Sequence, residues 1–87
     1  MSKQLIMISG DHCGYCRYIH PLAEKLCDDN DILFIKLQCD NLPDGISRPE
    51  TLPTFIFRVE SEMRETWSGS NIEKLREKMV NYFGSLK

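Results

Sequence analysis

Leu5-Ile6-Met7-Ile8-Ser9-Gly10-Asp11-His12-Cys13-Gly14-Tyr15-Cys16 runs from an apolar stretch, through a Gly-Asp break, into a C-x-x-C pair. The next stretch is helical in pattern. From Gly14 onward Cys16, Ile19, Leu22, Ala23 and Leu26 recur at three- and four-residue spacing on one face, until Asp28-Asp29-Asn30 ends the run. A strand feeding a helix therefore delivers Cys13 to the helix start. Thiolate, not thiol, is the nucleophile, and the partial positive charge and free N–H groups of a helix N-terminus favour it. Cys16, one turn on, is close enough to close a disulfide with Cys13. The arrangement points to dithiol–disulfide redox chemistry; half a metal site or two structural thiols are the alternatives.

Working outward, Gln4 to Ser9 reads as a buried strand, and Pro21 lies inside the helix, where it removes a backbone donor and should kink it. Ile32 to Leu37 reads as a second strand, apolar on both faces. Strand, helix, strand in this order implies a right-handed parallel crossover. Gln38 to Leu52 carries three turn signals, Asp40-Asn41, Pro43-Asp44-Gly45 and Arg48-Pro49, and reads as a loop long enough to be functional. Thr54 to Val59 is a third strand; Glu60-Ser61-Glu62 is a turn without the Asn-Gly of a tight hairpin. Met63 to Trp67 returns as a fourth strand whose charges suit a sheet edge. Ser70-Asn71-Ile72-Glu73 is a capping-box pattern opening a helix with Ile72, Leu75, Met79, Tyr82 and Phe83 inward, and Gly84 is its stop. The expected fold is α/β, ordered β-α-β-loop-β-β-α, with a four-stranded mixed sheet and two main helices.

Eighty-seven residues imply one domain over 1–87. A net charge of −2 with no basic stripe offers nothing to nucleic acid or an anionic membrane. The apolar run Leu5–Ile8 is too short for a secretory h-region, and no stretch is long enough to span a bilayer. The expected location is the reducing cytoplasm. There, four cysteines argue for metal or redox chemistry rather than a disulfide framework. Cys27 and Cys39 belong to no second C-x-x-C, so a zinc ribbon is not expected, and small buried hydrophobes are the ordinary role for such residues.

The chain resembles the thioredoxin/glutaredoxin superfamily at three places. Cys13-Gly14-Tyr15-Cys16-Arg17-Tyr18-Ile19-His20-Pro21 looks like a thioredoxin active site continuing into its helix, with the kinking proline five residues after the second cysteine. Thr51-Leu52-Pro53-Thr54-Phe55 resembles the family's cis-proline loop, and Trp67 to Leu75 the segment entering its last helix. The resemblance implies a minimal thioredoxin-like fold. It has four departures. The family's extra N-terminal strand and helix have no residues here, as in glutaredoxins. Met7 stands where thioredoxins carry a buried Asp that takes the resolving cysteine's proton. His12 replaces the aromatic residue before the motif, and the helix between the second strand and the cis-proline strand is cut to a loop. Tyr15 matches the glutaredoxin C-P-Y-C, but Gly14 replaces its proline and Asp11 sits where a glutathione carboxylate would be repelled.

By resemblance, Cys13 is the attacking thiol and Cys16 the resolving one. His12, if protonated, lowers the pKa of Cys13 further. Pro53 is cis and exposes the Leu52 backbone to a substrate chain. Tyr15, Leu52 and Gly69 ring Cys13 as a shallow docking surface, with Gly14 inside the motif; Met7 is core and His20 helix surface. The implied activity is that of a monomeric thiol–disulfide oxidoreductase whose electrons move through the Cys13/Cys16 dithiol, with no further cofactor or metal. Its expected partners are disulfide-bearing proteins, with ribonucleotide reductase a candidate because short phage relatives serve it, and a thioredoxin reductase or glutathione as reductant. The alternatives are a glutathione-dependent glutaredoxin and a [2Fe–2S]-binding glutaredoxin-like module.

Overall fold

In the computed structural model, which describes residues 2–87 apart from the Arg64 side chain, the apolar run around Met7 forms β1 (Lys3–Ser9), an inner strand of a four-stranded sheet. It pairs in parallel with β2 (Leu33–Gln38) and antiparallel with β3 (Thr54–Val59). β4 (Glu62–Ser68) adds antiparallel to β3, giving the order β2-β1-β3-β4. The sheet is mixed, as expected, and α1 (Gly14–Asp29) is the crossover between the two parallel strands. An inner strand covered on both faces has no solvent side, which is why β1 reads as continuous apolar sequence rather than as alternation.

Successive side chains of a strand point to opposite faces. Leu5 and Met7 of β1, with Phe55 and Phe57 of β3, point to the face covered by α1 and α2 (Ile72–Phe83). Ile6, Ile8 and Ile56 point the other way, where Cys39, Leu42, Ile46 and Leu52 of the segment 39–53 cover them. The long loop thus covers the second face as a helix would. β2 differs from its expected character: it is an edge strand, Leu33 is exposed, and Phe34 and Ile35 are only half buried. Position in the sheet, not the composition of the strand, sets its burial.

α1 buries Cys16, Ile19, Ala23 and Cys27, while Leu22, expected on this face, is exposed and Leu26 is half buried. The stripe is narrower than the sequence pattern suggested, and Cys27 occupies its last turn. Pro21 sits within α1 without ending it. In α2, Leu75, Met79 and Phe83 are buried, but Ile72 and Tyr82 are half buried and the Tyr82 hydroxyl donates to the Glu65 carboxylate on β4. The cap is Asn71, not Ser70: its side-chain oxygen accepts from the N–H groups of Glu73 (2.9 Å) and Lys74 (3.2 Å). Asn and Ser cap equally well, so backbone entry geometry decides between adjacent candidates. Gly84, at φ 97, ends the helix as expected.

The β3–β4 connection is tighter than its residues suggest. Val59 pairs with Glu62, leaving only Glu60 (φ 52) and Ser61 (φ 70) in the turn, both left-handed. This is the backbone that Asn-Gly normally supplies. Glu60 is held there from outside: its carboxylate accepts from the Ser2 N–H (2.8 Å) and its own N–H donates to the Ser2 carbonyl (2.9 Å).

Candidate active site

β1 ends at Ser9, and Gly10 to His12 carry the chain over the sheet end into α1. Cys13 is the N-cap of α1. Its backbone is extended (φ −105, ψ 100), and its Sγ accepts a hydrogen bond from the Cys16 N–H at 3.1 Å. Sulfur here takes the place of the Ser or Asp oxygen that usually satisfies such an N–H. A negative charge on that atom is stabilised by the same donor and by the helix dipole. Cys13 and Cys16 are joined as a disulfide, with Cα atoms 5.2 Å apart. The two are not equivalent: Cys13 is half exposed, whereas Cys16 is 3% exposed and packs in the helix-covered core.

The Leu52–Pro53 peptide is cis. Thr54 comes next and pairs with Ile8 near the end of β1, which places the proline loop beside the segment leading to Cys13. The loop is held by polar contacts. The Thr54 hydroxyl donates to the Thr51 carbonyl (2.7 Å) and lies 2.6 Å from the Ser68 hydroxyl, and the Gly69 N–H donates to the Pro53 carbonyl (3.2 Å).

An open groove surrounds Cys13. His12, Tyr15 and Leu52 line it together with Asp11, Asp40, Arg48 and Glu50. Arg48 is paired with Asp40 at 2.5 Å, so acidic charge prevails along this rim. Tyr15, 68% exposed, and Gly14 also border an apolar cleft with Tyr18 and Ser70 on the other side of the motif. A Cβ at Gly14 would meet nothing within 4 Å. His12 is exposed beside Cys13. Gly69 has a different setting from the one expected: it touches the site through Pro53 and does not line the groove. A Cβ there would stand 2.6 Å from the Trp67 ring, so its missing side chain makes room for that indole, which stacks on Phe55 at 6.0 Å.

Met7 is fully buried in the same apolar cluster as Cys16. Cys27 is fully buried too; desolvation, aided by the nearby carboxylates of Asp28 and Glu24, pushes its thiol up to about 12. Cys39 is buried under the loop-covered face and reaches the groove. His20 is not the surface residue that its helical position suggested. It is half buried, stacked on Phe34 at 5.4 Å, and lines a cavity that also contains Cys16. The signal available was its place one turn beyond Cys16, on the same side of α1. Among the described residues no group of three or more His, Cys, Asp or Glu side chains could hold a metal ion, and no helix is long and apolar enough to cross a membrane.

The thioredoxin family model matches residues 1–81. The chain is 33% identical to a thioredoxin of Gallus gallus over 80 residues, covering 86% of this chain and 76% of that protein. To thioredoxin H3 of Arabidopsis thaliana it is 34% identical over 79 residues, 85% of this chain and 67% of the relative. Among solved structures, the reduced thioredoxin pre-protein of Schistosoma mansoni superposes with a TM-score of 0.78 at 26% identity, covering 93% of this chain and 79% of that one.

Proposed function

This chain belongs to the thioredoxin family and is a thiol–disulfide oxidoreductase, and from that premise we propose a division of labour between its two active-site sulfurs. Cys13 attacks and Cys16 resolves. The observation that supports this order is the pairing of a half-exposed Cys13 Sγ that caps α1 with a Cys16 that is 3% exposed. Only the first can meet a substrate.

In the reduced protein the Cys13 thiolate attacks one sulfur of a substrate disulfide. A Cys13–substrate bond forms and the other substrate sulfur leaves as thiolate. Cys16 then loses its proton and attacks the Cys13 Sγ. The mixed disulfide breaks, the second substrate sulfur leaves, and the Cys13–Cys16 disulfide forms. Two electrons have passed to the substrate, and the disulfide-bonded form of the protein is the product state. The dithiol carries the electrons with no further cofactor. The Leu52 backbone, Tyr15 and the groove beside Cys13 receive the substrate chain, and His12 borders the attacking sulfur. The substrates are disulfide-bearing proteins, with ribonucleotide reductase among the candidates, and the protein acts as a monomer in a reducing cytoplasm.

A flavin-dependent thioredoxin reductase, rather than glutathione, returns the electrons. The net acidic charge of the rim, from Asp11 and Glu50 beside the Asp40–Arg48 pair, supports that choice, because glutathione would bring its own carboxylates against it. Turnover of a protein disulfide, coupled in one arm to thioredoxin reductase and NADPH and in the other to glutathione and its reductase, tests this. Turnover with the first and little with the second is expected; the reverse would assign a glutaredoxin mechanism.

A further inference from the structure

We propose that His20 accepts the proton of Cys16 in the resolving step. This rests on the reading of Cys16 as the resolving thiol and supplies what that reading lacks, a destination for the proton. On its core side Cys16 packs into an apolar cluster with Met7, Ile19, Phe55 and their neighbours. The side chains of that cluster offer no base to receive a proton. On its other side Cys16 borders a cavity of about 220 Å³ between the start of α1 and the ends of β1 and β2. That is space for several waters, each needing about 30 Å³.

The groups on that cavity that can carry charge are Asp11, Arg17, His20 and Lys36, and Glu24 stands on α1 with its Oε1 4.0 Å from the His20 Nε2. Their chemistry separates them. Arginine and lysine side chains are protonated at neutral pH and have no free acceptor. Asp11 and Glu24 are exposed, without the burial that lets a carboxylate such as the family's Asp take a thiol's proton. Imidazole alone is both largely unprotonated and basic enough near neutrality. His20 also lies one turn after Cys16, so both project to the same side of α1, and its ring is held by stacking on Phe34 at 5.4 Å. Cys16–SH gives its proton to the imidazole, directly or through a water in the cavity. The thiolate so formed attacks Cys13 Sγ, the substrate sulfur leaves as thiolate, and the imidazolium returns its proton to solvent through the open side.

Stopped-flow reaction of the reduced protein with dithiobis(nitrobenzoate) separates the steps. The first release of nitrothiolate reports attack by Cys13 and depends on reagent concentration. The second reports resolution by Cys16 and does not. In His20→Phe, which keeps a ring against Phe34, and in His20→Ala, the first phase should stay as in the wild type. The second should slow about 100-fold at pH 7, the low end for a lost general base. It should regain rate as pH rises through the thiol range, with a steeper pH dependence than the wild type. Free imidazole should restore the second phase in His20→Ala. A second phase in both variants with the wild-type rate and pH profile would overturn the assignment to His20. Release of only one nitrothiolate by the wild type, with the reagent's other half left on Cys13, would instead overturn the attack-and-resolve reading on which it rests.

Discussion

The two ends of α1 each hold cysteine, and they are chemically opposite. At the first turn Cys13 caps the helix, half exposed, with an N–H aimed at its sulfur. At the last turn Cys27 is fully buried, with two carboxylates near it, and its thiol is pushed up to about 12. The helix offers partial positive charge at one end and partial negative charge at the other. Burial adds to the difference, because an apolar surround opposes any charged form. Residue type is the same; place on the helix decides whether the sulfur is a nucleophile or a piece of core.

Alkylation of the reduced protein sharpens this contrast most. At pH 7 a thiol with a pKa of about 12 is thiolate about one time in 10⁵. Iodoacetamide should therefore label Cys13 and leave Cys27 untouched, as read by peptide mass mapping. Comparable labelling of Cys27 in the folded protein would break the comparison. Substitution comes next in size. Cys13→Ser should reduce disulfide turnover by about a thousandfold or more, the scale of losing a covalent nucleophile. Cys27→Ala should leave turnover as it is and cost about 1–2 kcal/mol of stability, since it only empties core volume.

The pH dependence of stability reads the buried end alone. The folded thiol of Cys27 is raised above its unfolded value, so its contribution is fully present below about pH 9 and is lost as pH climbs toward about 12. In that window the unfolded chain releases a proton that the folded chain keeps. Urea denaturation should show wild-type stability falling by up to about 1.4 kcal/mol per pH unit more steeply than Cys27→Ala. Parallel slopes would contradict the burial argument.

Gly14→Pro gives the smallest effect and probes the open end. Gly14 is the first residue of α1, a Cβ there meets nothing within 4 Å, and Cys13 before it already has the extended backbone that a following proline requires. The change should raise stability by about 0.5 kcal/mol in thermal denaturation, through loss of unfolded-state freedom.

Much of this was legible in the sequence because it is local. β1 announces itself by a run of apolar residues, α1 by spacing, and the site by Cys13-Gly14-Tyr15-Cys16 together with Leu52-Pro53. What escaped depends on neighbours distant in the chain. Nothing in Leu33 to Gln38 says that its strand will lie at an edge. Nothing in Glu60-Ser61 says that Ser2 will hold a left-handed turn there. Gly69 read as a site residue because it resembles one, whereas its lack of a side chain answers to the Trp67 ring. His20 read as surface because the helical pattern cannot show Phe34 stacking on it from β2.

The division of labour between the two sulfurs is tested most directly by trapping. Reduced Cys16→Ser, mixed with a disulfide-bearing protein substrate and digested without reductant, should yield a mixed disulfide at Cys13 that accumulates because nothing resolves it. Cys13→Ser should yield none. An adduct formed through Cys16 in the second variant, or none through Cys13 in the first, would contradict the account.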